Sequence, residues 1–187
     1  MADVAAKNLT KRIVGISVVS ILVIALISAG AMWLFLSAHV SLVTVKGDSM
    51  NPTLTNGQTI ILKQAEKIEK GQIVVFQKPK TWEYMGTEQP ELIKRIWAGG
   101  KSTVSYDGTN IIVDGEAIFN LKENGYQCDL TPGYTHTLTS EELFVMGDNH
   151  NESLDSLRIL CDNGDNLDDA YIPFLNTLAY GTVEGSL

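Results

Sequence analysis

Three short stretches of this chain carry side chains suited to chemistry. They are Gly47-Asp48-Ser49-Met50-Asn51-Pro52-Thr53-Leu54, Leu92-Ile93-Lys94-Arg95-Ile96-Trp97, and Met146-Gly147-Asp148-Asn149-His150-Asn151-Glu152-Ser153-Leu154-Asp155-Ser156. The serines offer nucleophiles, the lysine offers a base if it sheds its proton, and the aspartates offer bracing charges. Each stretch also has a plain structural reading. Gly-x-Ser ahead of a proline is a turn, and the third stretch is a polar turn after the apolar Leu143-Phe144-Val145. Lys94 is the odd one: strand alternation puts it on one face with Leu92, Ile96 and Ala98. Burying an ammonium is costly unless it is paired or deprotonated. An edge strand with Lys94 snorkelling to water accounts for the pattern equally well.

Other chemistries are poorly supported. His39, His136 and His150 sit in no motif that would build a Ser-His-Asp triad. The aspartates between Asp162 and Asp169 lack the EF-hand order and its closing glutamate, so a solvated acidic loop is expected there. Zinc spacing, a phosphate loop and a dinucleotide fingerprint are all missing, and neither metal nor cofactor is expected. Cys128 and Cys161 flank the third stretch; a bridge between them and two free thiols both remain open.

The elements that must position these residues follow from composition. The chain has 187 residues, 44% apolar and 19% charged, with a formal charge of −8. That length and apolar content suit one folded domain and argue against disorder. An acidic chain without a basic patch has no counterion-release drive toward nucleic acid. Residues 13–36 are uncharged and rich in Ile, Val, Leu and Ala. A helix of that length spans about 36 Å, enough to cross a bilayer core of about 30 Å with some tilt. A cleaved secretory signal would have a shorter apolar region. Lys7, Lys11 and Arg12 precede the span against Asp3, which keeps residues 1–12 cytoplasmic and sends the rest outward. Trp33 fits an interfacial belt at its outer end. Setting aside those three bases and one acid leaves 11 basic and 21 acidic residues, so the extracytoplasmic domain, residues 40–187, carries about −10.

That domain reads as mostly β. Leu42–Val45, Thr59–Leu62, Gln72–Phe76, Leu92–Trp97 and Asn110–Val113 are branched runs, and Asn56-Gly57, Lys70-Gly71, Asp107-Gly108 and Asp114-Gly115 separate them. Such short strands predict an antiparallel sheet that is sandwiched or closed like a barrel. One helical turn is expected from Thr139, and Thr81–Pro90 is expected as a loop whose Trp82, Tyr84 and Met85 serve either the core or a membrane surface.

Taken in order behind one anchor, the three stretches resemble the bacterial type I signal peptidases, in a Gram-positive-like single-span form. Lys70–Phe76 and the Thr103–Gly115 hairpin are similar to weaker stretches of that family. The resemblance implies a membrane-anchored serine endopeptidase that removes signal peptides from exported preproteins with a Ser-Lys dyad. Ser49 would be the nucleophile, Lys94 the general base and Ser153 the hydroxyl that orients the amine. The turn holding Gly47 and Ser49 would supply the oxyanion donors, the second of them unassigned because Gly47 stands where some members have serine. Arg95 and Asp155 would brace the site, with Asp148 as scaffold. Burial by Leu92 and Ile96 would lower the Lys94 pKa from about 10.4, and a carboxylate beside it would work the other way.

The chain departs from the family pattern in places. Leu157 separates Ser156 from Arg158, Ala98-Gly99-Gly100-Lys101-Ser102 replaces Gly-x-Pro-Gly-Asp, His150 replaces an arginine, and Cys161–Asp169 looks inserted. Two other readings stay open: a noncatalytic assembly factor on the same fold, and a peptidase dedicated to one pilin or one secretion system. The self-cleaving repressors share the Ser-Lys logic but carry a DNA-binding domain where this chain has its apolar segment.

Overall fold

The computed structural model describes residues 18–34, 40–85, 89–162 and 167–186. The chain divides into two compact units, one ending at Val40 and the other spanning Ser41–Leu187.

In the first unit residues 18–34 form helix α1. Its apolar side chains face outward all round, from Val18 and Ile21 to Trp33 and Leu34. Among the described residues no helix is long and apolar enough to cross a membrane. The rest of the expected span, residues 13–17 and 35–36, lies outside the described residues.

Among the described residues the second unit has eleven short strands in two sheets, β1 beginning at the last residue of the first unit. These are β1 (Val40–Thr44), β2 (Thr59–Gln64), β3 (Ile73–Gln77), β4 (Glu91–Gly99), β5 (Thr103–Tyr106), β6 (Asn110–Val113), β7 (Glu116–Asn120), β8 (Thr135–Thr137), β9 (Glu142–Met146), β10 (Ile172–Pro173) and β11 (Thr177–Ser186). The larger sheet has the order β1-β2-β11-β3-β4-β9-β10 and the smaller one β7-β6-β5-β8. The ladders from β2 to β10 are all antiparallel. Asp114 and Gly115, both at positive φ (50° and 83°), form the two-residue turn between β6 and β7 that an Asp-Gly pair favours.

The larger sheet is covered on both faces at its centre. Val74, Phe76, Leu92 and Ile96 enter a core shared with the smaller sheet, whereas Ile73, Val75 and Ile93 join Met50, Leu54, Ile60 and Leu62 in a second core. Alternate residues of β3 and β4 thus feed opposite cores, and both strands are nearly continuous apolar runs, as strands buried on two faces must be. β4 lies between β3 and β9, so the edge-strand explanation of Lys94 does not hold.

Two local expectations are corrected. Thr139 starts no helix: a turn leads into β9, with the Glu142 carboxylate accepting from the Thr139 N–H at 2.8 Å. Burial of Leu143 to Met146 on a strand flanked by β4 and β10 outweighs the capping signal. Lys80–Met85 is a 3-10 helix, not an open loop. Its Trp82 is fully buried, edge-on to Phe76, and donates from Nε1 to the Asp169 carbonyl at 2.7 Å, which takes it away from any membrane surface. The side chains of Tyr84 and Met85 and residues 86–88 lie outside the described residues, as do residues 163–166 of the acidic loop.

Helix α2 (Ser156–Asp162) was not expected. Asp155 caps it by accepting from the Arg158 N–H at 3.1 Å, and Leu157, Ile159, Leu160 and Cys161 enter the core. Cys161 is disulfide-bonded to Cys128, closing a sequence separation of 33 and fastening α2 to the loop after β7. Replacing both cysteines by serine is expected to lower stability by about 3 kcal/mol, read as a shift in the urea midpoint relative to the oxidised protein.

Candidate active site

The first stretch folds into a turn anchored from below by Met50 and Leu54, both buried in the second core. Leu54 N–H donates to the Met50 carbonyl at 2.9 Å and Asn51 N–H to the Asp48 carbonyl at 3.0 Å, so the backbone doubles back on itself. Gly47 takes a φ of 83°, which side-chain-bearing residues rarely adopt, and its N–H is tied to Asn56 Oδ1 at 3.1 Å. Ser49 stands at the top of this turn. The third stretch then clamps it from the side: Asn149 N–H donates to the Ser49 carbonyl at 2.9 Å, and Asn149 Nδ2 to the Asp48 carbonyl at 3.2 Å.

Lys94 reaches this serine from the middle of β4. Its Nζ lies 2.8 Å from Ser49 Oγ and donates to the Ile93 carbonyl at 2.9 Å. Only 2% of the residue is exposed. Burial lowers the Lys94 pKa from 10.5 to about 8, against an opposing pull from the Asp155 carboxylate. That carboxylate is itself buried and engaged, Oδ2 accepting from Gly147 N–H at 2.8 Å and Oδ1 from Arg158 N–H.

Arg95, next along β4, points the other way and grips Asp148 with two nitrogens, at 2.8 and 2.6 Å, while Nη1 donates to the Gly71 carbonyl at 2.7 Å. Burial pushes the Asp148 carboxyl up, but hydrogen bonds from Arg95 and Thr53 and the arginine charge hold it below its ordinary value. The bidentate pair ties β4 to the third stretch beside the Ser49–Lys94 contact. Arg95 and Asp155 therefore make separate attachments.

Ser153 sits 3% exposed in the third stretch, and its Oγ makes no hydrogen bond in this structure. The expected bond from Ser153 to the Lys94 amine is thus not formed; the Ile93 carbonyl takes that N–H. The packing here is tight. A Cβ added at Gly147 would overlap the Ser153 hydroxyl and stand 2.5 Å from the Ser49 carbonyl. The His150 ring lies edge-on against Phe119, with the ring centroids 4.5 Å apart.

Beside Ser49 and Lys94 opens a cleft of about 250 Å³ lined by Val43, Thr44, Val75, Ile93 and Leu154 together with the polar Lys46, Asp48, Glu91 and Glu152. It combines an apolar floor with a few convergent polar groups, the character of a binding site. Among the described residues no group of histidine, cysteine and carboxylate side chains could hold a metal ion.

The family model described as "Signal peptidase, peptidase S26" matches residues 15–164. The chain belongs to the S26 signal peptidases. Among solved structures it is similar to a signal peptidase I from Enterococcus faecalis V583, with 17% identity and a TM-score of 0.40 over 63% of this chain and 98% of that one. No curated protein matches it.

In this signal peptidase the sequence motifs left some site features unseen. The Ile93 carbonyl is a backbone acceptor and leaves no mark in residue types. Asn149, which holds the nucleophile turn, lies inside a motif but carries no sign of its partner. Glu91 and Glu152 become notable only when the cleft brings them to one opening.

A lysine held near pH 8 instead of 10.5 is disfavoured in its protonated form by about 3 kcal/mol. Between those values the folded chain binds fewer protons than the unfolded one, so stability rises with pH across the window, and the full penalty applies below it. Lys94→Met is therefore expected to be more stable than the parent by about 1–3 kcal/mol at pH 7, with the gap closing toward pH 10.5; urea midpoints at the two pH values check this. Gly147→Ala is expected to lower both the melting temperature and peptide cleavage, because the added methyl must displace the Ser153 side chain or the Ser49 backbone.

Proposed function

We propose that Ser49 and Lys94 form the catalytic dyad of this signal peptidase, acting on signal-peptide-bearing preproteins at a membrane. The observation that carries the reading is the 2.8 Å contact between Lys94 Nζ and Ser49 Oγ inside a site that depresses the lysine pKa.

The chemistry follows from that geometry. In the uncharged amine the bond reverses, the Ser49 hydroxyl donating to Nζ. Ser49 Oγ attacks the substrate carbonyl as its proton passes to Lys94, forming a tetrahedral intermediate. Lys94 then gives that proton to the departing amine, leaving an acyl ester on Ser49. Water, deprotonated by the same lysine, attacks that ester, the proton on Lys94 returns to Ser49 Oγ, and the signal peptide leaves with a new carboxyl end. One lysine N–H stays on the Ile93 carbonyl throughout, which limits the amine's rotation and keeps its lone pair aimed at Ser49. The Ser49 N–H is the first oxyanion donor, and Gly47 leaves the second to backbone or water.

The substrate enters as an extended strand. Val43, Val75 and Ile93 border the cleft, so backbone pairing with alternate side chains pointing into the floor is the mode that fits. Residues 13–36 anchor the enzyme, with residues 1–12 cytoplasmic and the catalytic unit outside. Two features support this topology: α1 exposes Ile, Leu and Val on every side, and the Cys128–Cys161 bridge belongs in an oxidising compartment.

Ser49→Ala and Lys94→Ala are each expected to reduce cleavage of a model preprotein by at least about a thousandfold while the circular dichroism spectrum stays native. In the parent enzyme kcat/KM is expected to rise with pH through an apparent pKa of about 8. Retained cleavage by purified Ser49→Ala, or a pH profile flat from 6 to 10, refutes the dyad.

A further inference from the structure

Charge in the cleft is distributed unevenly. Asp48, Glu91 and Glu152 line it on three different segments, against the cations Lys46 and Lys94. Lys94 is buried and works as a base only after losing its charge, so in the active form, among the described lining residues, Lys46 alone opposes three carboxylates. Asp48 is partly occupied, accepting from Asn51 Nδ2 at 3.1 Å. Glu91 and Glu152 are exposed, and among the described residues neither carboxylate has an ion-pair partner.

The backbone of each is anchored beside the cleft. Glu91 opens β4 three residues before Lys94, paired in register with Gln77. Glu152 immediately precedes Ser153, and its N–H donates to the carbonyl of Asn149, the residue that clamps Ser49. A peptide lying in the cleft therefore meets two carboxylates carried on backbone that is anchored in the same site as Ser49. Apolar walls of Val43, Val75, Ile93 and Leu154 limit screening there and focus the field onto the bound chain.

We propose that Glu91 and Glu152 make this enzyme select peptides that carry a basic residue within three residues of the scissile bond and discriminate against those with an acidic residue there. The selectivity rests on the dyad reading above and adds a substrate class to it. The carboxylates act on the bound substrate's charge and take no part in proton transfer.

The test is a peptide series identical except for Lys, Gln or Glu at each position from three before the cut to two after it. It is assayed with the parent enzyme, Glu91→Gln, Glu152→Gln and the double variant, each at low salt and at 1 M salt. At one or more positions the parent is expected to cleave the Lys peptide about tenfold faster, by kcat/KM, than the Glu peptide. The double variant is expected to bring that ratio within about twofold, and 1 M salt, where the Debye length is about 3 Å, to shrink it in the parent. Ratios taken within one enzyme are independent of any general loss of activity or folded fraction. Equal rates for Lys and Glu peptides at every position, or a ratio unchanged in the double variant, overturns the proposal while leaving the dyad standing. A parent enzyme that cleaves none of the Gln peptides, or a Gln peptide that Ser49→Ala cleaves equally well, overturns the dyad and this inference with it.

Discussion

The site depends on keeping one amine out of water. Lys94 stays near 2% exposure because β4 is a central strand with a core on each face, and its pKa falls because burial penalises the charged form more than Asp155 stabilises it. If the strand lay at the sheet edge, the long side chain would reach solvent and remain an ordinary ammonium. The same burial costs the fold about 3 kcal/mol below pH 8, a large share of a domain's net stability. The compact core and the disulfide offset that cost elsewhere.

Bringing hydroxyl and amine together joins segments 45 residues apart, and the third stretch supplies much of the attachment. Arg95 and Asp148 bind it to β4, Asn149 binds it to the Ser49 turn, and Asp155 ties its beginning at Gly147 to helix α2. Gly147 is the point where these constraints converge, since nothing larger fits between Ser153 and Ser49. Charge inside the site is arranged at two depths. Asp155 is buried and engaged, and its field only moderates the Lys94 amine, while Glu91 and Glu152 are exposed at the lining of the cleft.

What the amino-acid sequence determined by itself was local. The branched runs and Gly-containing turns specify short antiparallel strands, because alternation and turn chemistry act over a few residues. The oddity of Lys94 among Leu92 and Ile96 was visible for the same reason, and so was the order of the three motifs that marks the S26 family. Where local signals competed with packing, packing won: the cap at Thr139 yielded to β9, and of the two places open to Trp82 it took the core.

Only the tertiary structure decided between a snorkelling lysine and a buried one, since that choice turns on which strands flank β4, a question of pairing across dozens of residues. It also decided that the amine's second bond goes to the Ile93 carbonyl and leaves the Ser153 hydroxyl unpaired, that Arg95 holds Asp148, and that Cys128 meets Cys161. Distances between residues remote along the chain are set by the summed packing of every element between them, and no single stretch of sequence contains that sum.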